Sequence, residues 1–214
     1  AVLVGANLSG ADLSNVNLNN ANLSLATLAG VSSGGITGTP TALPPSWHLE
    51  QGYLVGPGAD LANANLLNVD FTGFDLTGTD LTGAYLAQTT FSATTIQGAI
   101  LTGANLEAVT SSDIIGTPAA MPTGWSLHNG YFLGPRANLS SAQLAGLDLD
   151  GVDLSYANLR NADLSGSTLV GADLTAANLS QANVQGTDFT GATLDGVQTF
   201  GYLIGTPSAL PAGA

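Results

Sequence analysis

The sequence predicts an all-β solenoid, because three features of the chain recur at fixed intervals. An apolar residue returns every five positions, a small residue stands two positions before it, and Asn or Asp usually precedes it directly. Two longer segments interrupt this pattern, and they match each other along the chain. Self-similarity at a fixed period is the sequence signature of repeat architectures.

The apolar positions, called centres here, form three runs over residues 3–28, 61–106 and 139–194. A period of five fits neither an α-helix nor a flat strand. It fits a chain that turns a corner every five residues, with the centre and the small residue facing inward. Four sides then make a coil of 20 residues, and successive coils hydrogen-bond at about 4.8 Å. The predicted core residues are Leu13, Leu66, Phe71, Phe91, Leu154 and Leu174.

The repeat resembles the A(D/N)LXX motif of the pentapeptide repeat family. Examples are Ala11-Asp12-Leu13-Ser14-Asn15 and Ala172-Asp173-Leu174-Thr175-Ala176. The resemblance implies a right-handed quadrilateral parallel β-helix, in line with the right-handedness of parallel β crossovers. Phe74, Leu147 and Val152 depart from the motif, because each puts a large residue at the small inward position.

The two interruptions are interpreted as hairpin-like loop insertions over about residues 41–53 and 119–131. From Leu28 to Leu61 the centres are 33 residues apart, and Leu106 to Leu139 repeats that distance. We interpret this distance as four repeats plus a 13-residue excursion. Asn129-Gly130 lies between two short apolar runs, which is a strong hairpin signal.

The first insertion carries the sequence GTPxxLPxxW, and the second carries it with Met121 in place of the Leu; this pattern is similar to a module that interrupts cyanobacterial and other bacterial members of the family. A third copy opens at Gly205 and reaches Ala214 before its Trp. We therefore expect one β-helical domain over residues 1–214 that ends within a third insertion.

The charge balance narrows the classes of partner. The chain has 15 Asp and Glu against 2 Lys and Arg, a net charge of −13, while 44% of its residues are hydrophobic. The hydrophobic content argues against simple disorder. The negative charge disfavours direct binding to nucleic acid or to an anionic membrane surface. The chain has no cysteine, which removes thiolate zinc sites and thiol catalysis. No signal peptide or membrane span is evident, and the compartment stays open between cytoplasmic and, after removal of an export signal, periplasmic or secreted.

Candidate sites are few. Asp148, Asp150 and Asp153 resemble an acidic calcium loop, but Asp148 and Asp153 are the ordinary residues before two centres, so they are weak metal candidates. Trp47 and Trp125 are candidate interaction residues, although a Trp in a hairpin more often packs the loop against its scaffold. We expect no catalytic residues and no cofactor, since neither His48 nor His128 has an evident acidic neighbour in a catalytic arrangement.

Three hypotheses for function stay open. The favoured one is a non-enzymatic structural or protein-interaction scaffold with an unidentified protein partner, and end-to-end self-association is compatible with it. The second is an acidic DNA mimic that binds DNA gyrase or another DNA-binding protein, because the family includes quinolone-resistance proteins that do so. The third is a calcium-dependent surface protein.

Overall fold

The computed structural model describes residues 1–212, and its regular structure is a ladder of parallel bridges. Most of the bridges join residues 20 positions apart, such as Asp60 with Asp80 and Asp80 with Ile100. Neighbouring bridges are five residues apart along the chain, so each 20-residue coil carries four of them. The described residues form no helix and therefore contain none that could cross a membrane. The architecture is all-β and of the β-helix type.

The chain divides into two compact units. The first comprises Ala1–Asn105 with Ile114–Thr123, and the second comprises Leu106–Asp113 with the chain from Gly124 onward. Each unit consists of five-residue repeats wound around an apolar interior, and each carries one antiparallel hairpin.

In the first unit, the aromatic centres Phe71 and Phe91 are fully buried, as is Leu66. The two rings lie 5.1 Å apart between centroids, and the Phe71 N–H donates to the Thr90 carbonyl at 2.9 Å. Leu13 is only half-buried, although the sequence predicts it in the core. It lies in the first coil, where its N–H donates to Ser32 at 2.9 Å and the described chain covers that coil on one side.

In the second unit, Leu154 and Leu174 are fully buried in one apolar cluster. They occupy matching positions of adjacent coils, because Asp153 bridges Asp173 and the Leu154 N–H donates to the Asp173 carbonyl at 2.7 Å. A hydroxyl residue can replace the small inward alanine where a carbonyl is available. Thr187 is buried there, and its Oγ1 donates to the Leu164 carbonyl at 2.7 Å.

The corner residues explain why Gly and Asn recur between centres. Asn161 has φ of 58° and Gly166 has φ of 65°, so consecutive corners of the second unit use the left-handed region. Gly adopts that region at no steric cost, and Asn tolerates it better than most residues. Leu25 and Tyr156 adopt it too, with φ of 63° and 58°, which shows that the coil imposes this geometry on residues that disfavour it.

The strands belong to the two hairpins. In the first unit β1 (His48–Glu50) pairs with β2 (Tyr53–Val55), and in the second β3 (Ser126–His128) pairs with β4 (Tyr131–Leu133). The turn residues Gln51, Gly52, Asn129 and Gly130 all have positive φ. Two successive residues with positive φ are what a tight type I′ hairpin requires.

The hairpins lengthen their coils less than the sequence interpretation implies. Ser32 bridges Asp60, a separation of 28 residues instead of 20, and Thr110 bridges Asn138 with the same separation. Each hairpin coil therefore has eight extra residues. The 13-residue excursion predicted from the sequence is wrong. The sequence interpretation places four repeats between Leu28 and Leu61. In the structure, five repeats separate these two residues once the eight extra residues are subtracted.

Candidate functional site: the hairpins and the acidic groove

Both hairpins are braced against their coils through the same pair of residue types. The Ser33 hydroxyl accepts the Leu54 N–H at 2.9 Å, and the Ser111 hydroxyl accepts the Phe132 N–H at 2.8 Å. At the residue before Leu54, the Tyr53 hydroxyl accepts the Asn65 N–H at 3.2 Å. The Tyr131 hydroxyl accepts the Gln143 N–H at the same distance. The side chains thus replace bonds that the coil ladder cannot supply where the hairpin leaves it.

Each tryptophan packs on a glycine of its own hairpin. A Cβ added to Gly56 would lie 2.5 Å from the Trp47 indole, and a Cβ on Gly134 would overlap the Trp125 indole. Trp47 is 9% exposed, whereas Trp125 is more open and lines a groove. This placement agrees with loop packing for Trp47 and leaves Trp125 as the candidate for contact with a partner.

A groove lies between the second hairpin and the coil that follows the hairpin coil. It has a volume of about 720 Å³, and we call it the second-hairpin groove. Its lining residues are Gly124, Trp125, Ser126, His128, Asp148, Asp150, Gly151, Val152 and Asp153. The structure therefore brings the three aspartates of the weak calcium prediction together with one of the two tryptophans.

The three carboxylates already serve the backbone of their coils. Asp148 Oδ1 accepts the Asp150 N–H at 3.2 Å, Asp150 Oδ1 accepts the Val170 N–H at 2.9 Å, and Asp153 Oδ1 accepts the Ser155 N–H at 2.9 Å. Among residues 1–212, no group of three acidic, His or Cys side chains is placed to hold a metal ion. Asp148 and Asp153 therefore close turns, whereas Asp150 bonds to the next coil.

The first hairpin has aromatic packing that sequence reasoning missed. The His48 imidazole stacks on the Phe74 ring, with centroids 3.7 Å apart and an interplanar angle of 11°. Phe74 in turn meets Phe71 edge-on at 5.8 Å. The signal in the sequence was Phe74 itself, because a large ring at a small inward position requires something to cover it.

Five of the aspartates that precede a centre are held as carboxylates. In Asp163 and Asp173 the hydroxyls of Ser165 and Thr175 lower the pKa of the carboxyl, and the N–H of the same residues adds to the effect. Partial desolvation opposes this shift. The same type of bond lowers the pKa of Asp12, Asp70 and Asp188. The negative charge of these corners is therefore part of the folded structure.

The two arginines differ in their surroundings, and neither lines the groove. Arg136 lies 3.4 Å from Glu107 and 4.9 Å from the centre of the Tyr156 ring. Arg160 contributes its backbone to the ladder, where its carbonyl accepts the Ser141 N–H. The lining of the groove therefore has three carboxylates and the His128 imidazole, but no Lys or Arg side chain.

Comparisons with known proteins agree with the repeat. A family profile described as Pentapeptide repeats matches eight copies, over residues 1–32, 57–78, 75–107, 136–169 and 157–196. The solved structure of HetL, a pentapeptide repeat protein involved in heterocyst differentiation regulation from the cyanobacterium Nostoc sp. strain PCC 7120, is 31% identical. That match covers 90% of this chain and 86% of HetL, with a TM-score of 0.29.

Two further solved structures align at lower identity. QnrB1, a plasmid-mediated fluoroquinolone resistance protein, is 18% identical, with 99% of this chain and 92% of that chain covered and a TM-score of 0.31. Rfr23, a pentapeptide repeat protein from the cyanobacterium Cyanothece 51142, is also 18% identical, with 95% and 90% covered and a TM-score of 0.16. No curated protein sequence matches this chain. On the strength of the family profile and the repeat itself, the chain belongs to the pentapeptide repeat family.

Proposed function

We propose that this chain is a non-enzymatic protein-interaction scaffold whose coils are right-handed and four-sided. The observation that carries the proposal is the second hairpin, which is braced on its coil by Ser111 and Tyr131 while Trp125 faces an acidic groove. A surface held in place before binding loses little conformational freedom when a partner docks, which favours affinity. Aromatic residues at the edge of a groove are the side chains that most often anchor protein partners.

The proposal is tested with a purified partner. Proteins captured by the chain from a bacterial lysate would be purified, and their binding would be remeasured by calorimetry against the wild-type chain and against Trp125→Ala. We expect saturable binding that the substitution weakens by about tenfold or more, the usual effect of removing an anchor residue. Trp47→Ala is the matched control, because Trp47 is closed off in its own hairpin. Equal weakening by both substitutions, or the absence of any saturable partner, would contradict the proposal.

A second candidate, an acidic mimic of DNA, is favoured by the net charge of −13. Rows of carboxylates at one strand spacing would present regularly placed negative charge to a DNA-binding protein. A supercoiling assay with purified DNA gyrase separates the candidates. The scaffold proposal expects no inhibition at micromolar concentrations of the chain. Inhibition that persists with Trp125→Ala but disappears when Asp153, Asp163 and Asp173 are replaced by Asn would favour the mimic instead.

The calcium hypothesis is tested by titration. Because the three groove aspartates already accept backbone N–H groups, we expect no micromolar calcium affinity from the isolated chain. Calorimetry with calcium chloride measures this directly. Micromolar binding that Asp150→Ala abolishes would restore the hypothesis.

A further inference from the structure

The two hairpins are copies, and they differ at the positions that decide whether a groove forms. Residues of the first copy correspond to residues 78 positions later, as Trp47 corresponds to Trp125. The stacked pair His48 and Phe74 corresponds to Ser126 and Val152, which carry no ring. The lining of the second-hairpin groove includes both Ser126 and Val152. The groove therefore occupies the place where the first copy holds two stacked rings.

The second copy also leaves polar groups around that space. The Ser126 hydroxyl oxygen is buried, and no residue in the described part of the chain bonds to it. An unpaired buried hydroxyl is costly, so a hydrogen bond from solvent or from a bound group would stabilise it. Asp150 stands where the first copy has Thr72, so this copy gains a carboxylate as it loses the rings.

The carboxylates of the groove can each accept a further hydrogen bond, although they are not arranged to surround a metal ion. Their backbone bonds are made through Oδ1 in all three cases. Asp153 Oδ2 lies toward the groove wall, 3.9 Å from where a Cβ on Gly124 would stand. An ionised carboxylate offers about four lone-pair sites, so one N–H bond leaves room for a second donor. Three carboxylates line the groove beside a single imidazole, that of His128, and no Lys or Arg side chain lines it, so the lining favours a positively charged occupant.

We propose that the second-hairpin groove binds the guanidinium group of an arginine from a partner protein. The place that it would fill is occupied in the first copy by a planar imidazole, stacked on a ring. A guanidinium is planar, stacks on aromatic faces such as that of Trp125, and donates two parallel bonds to a carboxylate. Its remaining N–H groups can donate to the Ser126 hydroxyl. A lysine ammonium has the same charge, but it has neither the planar shape nor the paired N–H donors of a guanidinium.

This inference rests on the proposed scaffold function, and its test uses short peptides in place of the unidentified partner. Calorimetry or NMR titration would compare acetyl-Gly-Arg-Gly-amide with the same peptide carrying lysine or citrulline. We expect the arginine peptide to bind about tenfold more tightly than the lysine peptide, because only it combines stacking with bidentate bonding. The citrulline peptide keeps the plane without the charge, and we expect no measurable binding from it.

The decisive variant copies the first hairpin into the second. Ser126→His with Val152→Phe should fill the groove with the pair that already stacks in this protein, and should abolish arginine binding while the circular dichroism spectrum is retained. Asp150→Thr, at an exposed position, should weaken binding without refilling the groove. Equal binding of arginine and lysine, binding that the filled variant retains, or no binding at all would overturn the inference. The scaffold proposal would survive any of these results, since its own test measures a whole partner.

Discussion

At the scale of single residues, many centres are preceded by an Asp or Asn whose side chain accepts a backbone N–H two residues later. Asp173 accepts the Thr175 N–H at 2.8 Å, and Asn178 accepts the Ser180 N–H at 3.0 Å. The amide and the carboxylate therefore do the same geometric task. They differ in charge, which makes the acidic corners sensitive to pH.

Acid should remove the advantage of a carboxylate at these corners. The folded pKa of Asp163 lies below its ordinary value because of Ser165, so its ionised form is stabilising above the unfolded pKa of about 3.9 and loses that effect as pH falls through the folded pKa. In urea unfolding, we expect wild type to be more stable than Asp163→Asn at pH 7 and the difference to vanish toward pH 2.5. With Ser165→Ala as background the difference should already be smaller at pH 7. A difference that does not change between pH 7 and 2.5 would contradict this account.

The burial of a centre should determine what its removal costs. Leu154 is fully buried, so Leu154→Ala removes packed methyl groups and should lower the free energy of unfolding by about 2–5 kcal/mol. Leu13→Ala changes the same residue type at the same motif position, but Leu13 is half-buried and the loss should be smaller. Chemical denaturation measures both. Equal losses would mean that motif position, and not burial in the coil, sets the energetics.

At the scale of elements, the hairpins depend on side chains that lie outside them. Leu54 is buried, and its N–H donates to the Ser33 hydroxyl. Ser33→Ala removes that acceptor, so we expect a loss of about 1–3 kcal/mol, the usual cost of leaving a buried donor unsatisfied. Hydrogen exchange should show faster exchange in β1 and β2. Ser9→Ala, at an exposed position, is the control, and an equal effect there would exclude a bracing role for Ser33.

The sequence indicates much of this element level. The five-residue period predicts the bridges, and Asn129-Gly130 predicts the turn that joins β3 to β4. The predicted length of the hairpin coils is wrong, because the spacing between Leu28 and Leu61 does not reveal which repeat of the next coil the chain reaches after the hairpin. The groove was also missed, because it depends on the absence of a ring at Val152. The missing ring can be recognised only by comparison with the stacked pair His48 and Phe74 at the first hairpin.

At the scale of the whole molecule, most coils without a hairpin bring the described chain back beside its starting position after 20 residues. The absence of cysteine allows this to be tested with engineered disulfides. Ser140 and Arg160 are exposed and adjacent, since the Ser140 hydroxyl donates to the Arg160 carbonyl at 3.2 Å. One strand spacing of about 4.8 Å falls within the Cα separation that a disulfide accepts.

The measurement compares the rates of intramolecular disulfide formation in Ser140→Cys with Arg160→Cys and in Ser140→Cys with Asp150→Cys. An unfolded chain would close the shorter 10-residue loop more readily. In a 20-residue coil, residues 10 positions apart lie half a coil from each other, so we expect rapid oxidation of the 140/160 pair and little of the 140/150 pair until denaturant is added. Faster closure of the 140/150 pair in the native protein would contradict the 20-residue coil.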